Sequence, residues 1–226
     1  MPTIQKNNAE LVISPDTVGE NSKSVKIGDT GLLSGIPYYI TNKNSGLSLD
    51  ITDGKLEDGT NIQQWDFNKL WTQQWRLVAI DDEYFRIVSL GDESKCIAVA
   101  SDTAADATNV ELQTYTGTNN QLFRLVKNGN YYGIVSKCSD GKGGLDVFEW
   151  STEIGGNVNQ FAYNGYDCQL WKIEPVYPAV PSGKYTVRNI NSELFLSGKN
   201  GNAVQGDSQN WTLTKQNDGS YSLLTA

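Results

Sequence analysis

Residues 49–75 read LDITDGKLEDGTNIQQWDFNKLWTQQW, and the chain repeats this stretch. A shift of 48 residues carries Leu49 to Ile97 and then to Leu145. The same shift carries Ile51 to Val99 and Val147, Asn61 to Asn109 and Asn157, and Ile62 to Val110 and Val158. It also carries Gln73 to Gln121 and Gln169, Trp75 to Phe123 and Trp171, and Leu77 to Leu125 and Ile173. Seven columns keep their chemical type over three copies without a gap, which marks a repeat architecture.

Within the first copy, Leu49-Asp50-Ile51 alternates apolar, polar, apolar. That predicts a strand with two residues in the core and Asp50 on the outer face. Tyr38 to Asn42 predicts the strand before it, and the segments around Ile62 and Trp75 predict two more. The second copy opens at Tyr84 and the third at Tyr131, so three copies predict twelve strands. One four-stranded unit cannot bury its apolar face alone, whereas three around a pseudo-threefold axis can close a barrel and cap its end.

The segments QQW, QLF and QLW at 73–75, 121–123 and 169–171 stand where the Gln-x-Trp of ricin-type β-trefoil lectins stands. Over about residues 36–176 the chain resembles that family, which includes the family 13 carbohydrate-binding modules of plant-wall-degrading enzymes. The resemblance implies an all-β fold, a β-trefoil of three four-stranded repeats. It also implies a non-catalytic carbohydrate-binding module, secreted or at the cell surface. Its expected partners are a galactose-, arabinose- or xylose-containing polysaccharide of plant cell-wall type, or a galactoside, and a covalently linked catalytic domain, a glycoside hydrolase.

The flanks read differently. Residues 1–35 carry no copy and read as a linker or the tail of a preceding domain, with short strands at 11–13 and 25–27. Residues 177–183, YPAVPSG, read as a second linker. From 184 the pattern restarts with KYTVRNINSELFLS and Gln209-Asn210-Trp211, so 184–226 reads as an incomplete second trefoil.

Composition narrows the chemistry. The chain has 226 residues, a net charge of -8 and no histidine, which excludes Ser-His-Asp and Cys-His catalysis and His-ligated metals within it. Cys96, Cys138 and Cys168 are too few and too scattered for a thiolate metal site, and their spacing leaves one disulfide or none equally open. No cofactor or metal is expected. The acidic balance without a basic patch argues against nucleic acid, and no apolar run is long enough to span a membrane as a helix.

Columns that change between copies carry the functional signal. The Gln-x-Trp aromatic survives in every copy and so reads as core. Three other columns do not survive: Asp50, Ala98, Asp146; then Gln63, Glu111, Asn159; then Trp65, Gln113, Phe161. A core column is needed in every copy, but a site is needed only where it is used. A carboxylate accepts hydrogen bonds from adjacent sugar hydroxyls, an amide donates and accepts, and an aromatic ring stacks on the C–H face of a pyranose. In ricin-type lectins the matching residues form each sugar site, so the resemblance points the same way. The candidates are Asp50, Gln63, Trp65, Thr72 and Gln73 in the first copy. In the third they are Asp146, Asn159, Phe161, Gln169 and, as an alternative stacking ring, Tyr163. The family's Asn before the Gln is Thr72, Asn120 and Cys168 here, leaving a weaker donor in the first copy and none expected in the third. The second copy reads as inactive. The fourth has Ser197 in the Asp column and a loop eleven residues shorter, and reads as structural. Two other classes compete: a glycoside hydrolase using acids such as Asp53, Glu57 and Asp58, and an inhibitor-like, protein-binding trefoil.

Overall fold

The computed structural model describes residues 2–6, 9–12, 27, 30–176, 183–189, 194–199, 202–215 and 221–225. They fall into two compact units, 26–176 and the two chain ends together, 1–25 with 177–226.

The larger unit holds the twelve expected strands. The first repeat supplies Pro37–Asn42, Ser48–Ile51, Thr60–Trp65 and Trp75–Ala79. The second supplies Phe85–Ser89, Lys95–Val99, Thr108–Thr114 and Phe123–Asn128. The third supplies Tyr131–Ser136, Gly143–Val147, Val158–Ala162 and Leu170–Pro175. The outer two strands of each repeat form the barrel. The first pairs with the fourth of its own repeat (Tyr38↔Trp75, Phe85↔Phe123, Tyr132↔Trp171) and with the fourth of the repeat before it. Those second pairings, Leu77↔Ile87, Leu125↔Ile134 and Ile173↔Ile40, close the ring. The inner two strands of each repeat form a hairpin, and the three hairpins pair with one another to cap the barrel. This is a β-trefoil.

The repeated columns fill its centre. Leu49, Ile97 and Leu145 are fully buried, as are Ile62, Val110 and Val158, and Trp75, Phe123 and Trp171. The two indoles each donate Nε1–H to a carbonyl 26 residues back, Trp75 to Leu49 and Trp171 to Leu145, both at 3.1 Å. The aromatic of Gln-x-Trp is therefore a core residue whose polar edge is satisfied by the hairpin it supports.

The hairpin loop of each repeat docks on the next repeat. Gly59 N–H donates to Leu112 O and Gly155 N–H to Gln64 O, each at 2.9 Å. The column is Gly59, Ala107, Gly155, with φ of 86°, 58° and 82°, a left-handed turn that glycine adopts without steric cost. Gln64, fully buried, donates Nε2 to the carbonyls of Ser151 and Glu153, and Gln160 does the same to Thr103 and Ala105. These amides tie loop to neighbour. Asp58 has a similar duty, accepting from Lys95 Nζ and the Thr114 N–H, each at 2.6 Å. The loop is thus latched at Asp58.

Residues 1–35, read as a linker or domain tail, contribute elements to both units. Ile27 is buried in the trefoil core, and Gly35 N–H donates to Leu77 O at 2.7 Å. In the smaller unit, Pro2–Lys6 pairs with Ala9–Val12, close to the strand expected at 11–13, and with Gly183–Asn189. The strand expected at 25–27 lies outside the described residues except for Ile27, and the linker 177–183 does so except for Gly183.

The smaller unit copies trefoil register. Tyr185↔Trp211 and Leu213↔Leu223 match Tyr38↔Trp75 and Leu77↔Ile87, and Ile4↔Val187 matches Ile173↔Ile40. Tyr185, Val187, Trp211 and Leu213 form its core. Trp211 Nε1–H donates to Leu196 O at 2.8 Å, 15 residues back instead of 26. The difference is the shortened loop.

Candidate functional site

Strand register brings the variable columns together. In the first repeat Asp50 stands opposite Gln63 and Ser48 opposite Trp65. In the third Asp146 stands opposite Asn159 and Gly144 opposite Phe161. In the second Ala98 stands opposite Glu111 and Cys96 opposite Gln113. Carboxylate, amide and aromatic thus share one hairpin face in two of the three repeats.

The first site is built around Asp50. Gln63 Nε2 donates to Oδ1 at 3.2 Å, and Thr72 Oγ1 donates to Oδ2 at 2.9 Å. Asp50 is only 5% exposed, which corrects the picture of an outward carboxylate. A short 3-10 turn, Trp71–Gln73, folds over the outer face of the strand and covers it. Strand alternation cannot foresee a cover supplied from 20 residues away. Burial pushes the Asp50 carboxyl above its ordinary 3.8, against the opposing pull of the hydrogen bonds from Gln63, Thr72 and Gln73. Trp65 remains 40% exposed beside this buried charge. Gly155, from the third repeat's loop, flanks its ring; a Cβ there would lie 3.6 Å from it.

Gln73 and Gln169 are fully buried and serve the frame of the site. Gln73 Oε1 accepts from Asn68 N–H at 3.0 Å and its Nε2 donates to Asp66 O at 2.7 Å. Gln169 makes the corresponding bonds to Asn164 N–H and Ala162 O. Each closes the loop between the aromatic and the 3-10 turn, and each also faces its aspartate.

The third site has the same plan with weaker parts. Asp146 is buried, and burial again pushes its carboxyl up, against hydrogen bonds from Cys168 and Gln169. Cys168 does supply a donor where none was expected, its Sγ lying 3.4 Å from Asp146 Oδ2. Burial and the Asp146 charge push that thiol up to about 12, so it stays protonated and donating. Asn159 is one methylene shorter than Gln63, and among the described residues its buried Oδ1 has no partner. Phe161 is 38% exposed and holds the position of Trp65. Tyr163 is placed differently. Its ring lies flat on Gly133, where a Cβ would approach to 2.4 Å, and also covers Gly144. It packs against backbone, and of the two rings Phe161 is the one left exposed.

The second repeat is filled from within. Gln113 Nε2 donates to Glu111 Oε1 at 2.9 Å, and Asn120 Nδ2 donates to Val99 O at 2.8 Å and to Gln113 Oε1 at 3.3 Å. With Ala98 in the aspartate column, its polar groups satisfy one another.

Among the described residues no group of three or more Cys, Asp or Glu could hold a metal, and no helix is long and apolar enough to cross a membrane. Cys96, Cys138 and Cys168 are free thiols, which resolves the open question of a disulfide.

Known proteins are similar to this chain in sequence and fold. A family model for ricin-type beta-trefoil lectin domain-like proteins matches residues 27–113, 71–161 and 167–226. The designed threefold-symmetric protein ThreeFoil is 36% identical, covering 61% of this chain and 97% of its own, with a TM-score of 0.58. The exo-β-1,3-galactanase 1,3Gal43A from Clostridium thermocellum is 34% identical over 62% of this chain and 30% of its own, with a TM-score of 0.59. The clotting factor G alpha subunit of Tachypleus tridentatus is 36% identical over 66 residues, 29% of this chain. The chain spans about a tenth of that relative's length. With family matches covering most of the chain, two of them overlapping on the closed trefoil, the chain belongs to the ricin-type β-trefoil lectin domain-like family.

Proposed function

We propose that this chain is a non-catalytic carbohydrate-binding module that holds a galactose-, arabinose- or xylose-containing polysaccharide, and that it directs an attached glycoside hydrolase to that polymer. The observation that carries the reading is the pairing of a buried, donor-held carboxylate with a half-exposed aromatic ring on one hairpin face. It occurs at Asp50 with Trp65 and at Asp146 with Phe161. The exposed ring receives the C–H face of a sugar, while the carboxylate, fixed by Gln63 and Thr72, accepts from its hydroxyls. Preorganisation lowers the ordering cost of such a contact. Two sites on one rigid trefoil gain by avidity on a polymer that reaches both.

Among sugars, galactose leads, because a relative at 34% identity is an exo-β-1,3-galactanase and this chain aligns with 30% of it. An alignment to a minor part of an enzyme also favours an accessory role. Glycoside hydrolysis requires two cooperating carboxylates, and the observed contacts of Asp50 are an amide and a hydroxyl, from Gln63 and Thr72. The test is retention on immobilised galactan, arabinan and xylan, with reducing-sugar release followed in parallel. Retention without release supports the reading, and release by the chain alone overturns it.

A further inference from the structure

Trp150 stands in the column of Gly54 and Asp102. Its backbone is left-handed, with φ of 59°, as is that of Gly54 at 65°. Glycine adopts this conformation freely, whereas for a bulky residue it is an outlier. Core packing does not account for the tryptophan, because it is 49% exposed. A tilted ring, Tyr166, sits 5.4 Å away between centroids and is itself largely in solvent. Asn44 Nδ2 donates to Trp150 O at 3.1 Å and holds the turn from outside. The chain therefore keeps two aromatic rings ordered against each other in water, one of them on a strained backbone. Strain of this kind persists where it serves a site.

The rings border the third site. Phe161 pairs with Gly144, two residues before Asp146, and the turn Phe148–Trp150 begins two residues after it. At roughly 3.3 Å per strand residue, the partner position of Phe161 and the start of the turn that carries Trp150 lie on opposite sides of Asp146 along the chain. Tyr166 comes from the other wall, two residues before Cys168, whose thiol lies on Asp146. The second repeat, which lost its carboxylate and platform, has Ala100, Asp102 and Thr118 at the positions of Phe148, Trp150 and Tyr166. The first has Thr52, Gly54 and Leu70 there; its Trp71, 38% exposed, packs against Gly91, where a Cβ would come within 2.3 Å of the ring, and a Cβ at Gly54 would lie 3.5 Å from the same ring.

We propose that Trp150 and Tyr166 form a second sugar subsite beside Asp146, so that the third site takes at least two linked rings of a saccharide. The second ring stacks on Trp150 while the first lies between Asp146 and Phe161. This rests on the carbohydrate reading above and adds chain-length selectivity to it.

The test is calorimetric titration of the full chain carrying Trp65→Ala, which leaves the third site as the binder. The probes are galactose, xylose and arabinose, each against its disaccharide. The disaccharide of the bound series should bind about tenfold more tightly than its monosaccharide. Adding Trp150→Gly should abolish that gain, leave monosaccharide affinity unchanged, and leave Tm unchanged or raised, since glycine suits the turn. Equal affinity for both sugars, or a gain that survives Trp150→Gly, overturns this inference alone. Absence of any saccharide binding by the unmodified chain overturns the carbohydrate reading and this inference with it.

Discussion

Gln63 stands directly across the hairpin from Asp50 and donates its amide to Oδ1 at 3.2 Å, while Thr72 holds Oδ2 from the covering turn. The carboxylate of the first site is thus fixed at both oxygens. Losing Thr72 removes a donor from a buried charge. Thr72→Ala should cost about 1–3 kcal/mol of stability and weaken saccharide binding, as read by urea melts and titration calorimetry.

The third site should improve when given the first site's donors. Cys168→Thr replaces a weak thiol donor by a hydroxyl, and Asn159→Gln extends the amide toward Asp146. Together they should tighten binding at the third site severalfold in a Trp65→Ala background, measured by calorimetry. No change would mean that the aspartate's donors do not govern affinity.

Acid should separate binding from stability. Burial raises both Asp50 and Asp146 above the ordinary 3.8. A raised folded-state pKa means that the folded chain holds the proton more tightly than the unfolded one. The stability these groups contribute is therefore fully present below 3.8 and is lost as pH rises through the raised value. Binding runs the other way, because the ionised carboxylate is the stronger acceptor. Saccharide affinity should fall on acidification, starting at a pH above 3.8, and Asp50→Asn should flatten the first site's share of that fall.

The frame should fail differently from the surface. Trp75→Ala empties a fully buried site and breaks the bond to Leu49 O. It should cost about 3–5 kcal/mol, seen as a large drop in Tm. Gln113→Ala, in the self-satisfied second repeat, should leave saccharide binding intact.

Much of this was legible in the sequence because a trefoil needs the same core residue in every repeat. Leu49, Ile62 and Trp75 recur at a fixed offset, and each is fully buried in all three copies. The site columns were legible for the complementary reason, since Asp50, Gln63 and Trp65 vary where the core does not. The burial of Asp50 was not legible, because its cover is a 3-10 turn from a different part of the repeat. The bond from Cys168 to Asp146 was not legible, since a thiol's direction depends on the turn that carries it. Tyr163 and Phe161 are two residues apart and only register tells which ring is left exposed. Trp150 was missed although the offset exposes it, a tryptophan in a column where the first repeat has glycine. The left-handed backbone that gives the substitution meaning is a structural fact.

The most direct test removes both platforms. Trp65→Ala with Phe161→Ala deletes two half-exposed rings that the core does not require, so the chain should keep its Tm. Affinity electrophoresis through galactan, arabinan and xylan then reads binding alone. The unmodified chain should be retarded by at least one of these polymers, and the double variant should migrate as in a polymer-free gel. Retardation of the double variant equal to that of the unmodified chain would contradict the assignment of these two hairpin faces as the sugar-binding sites.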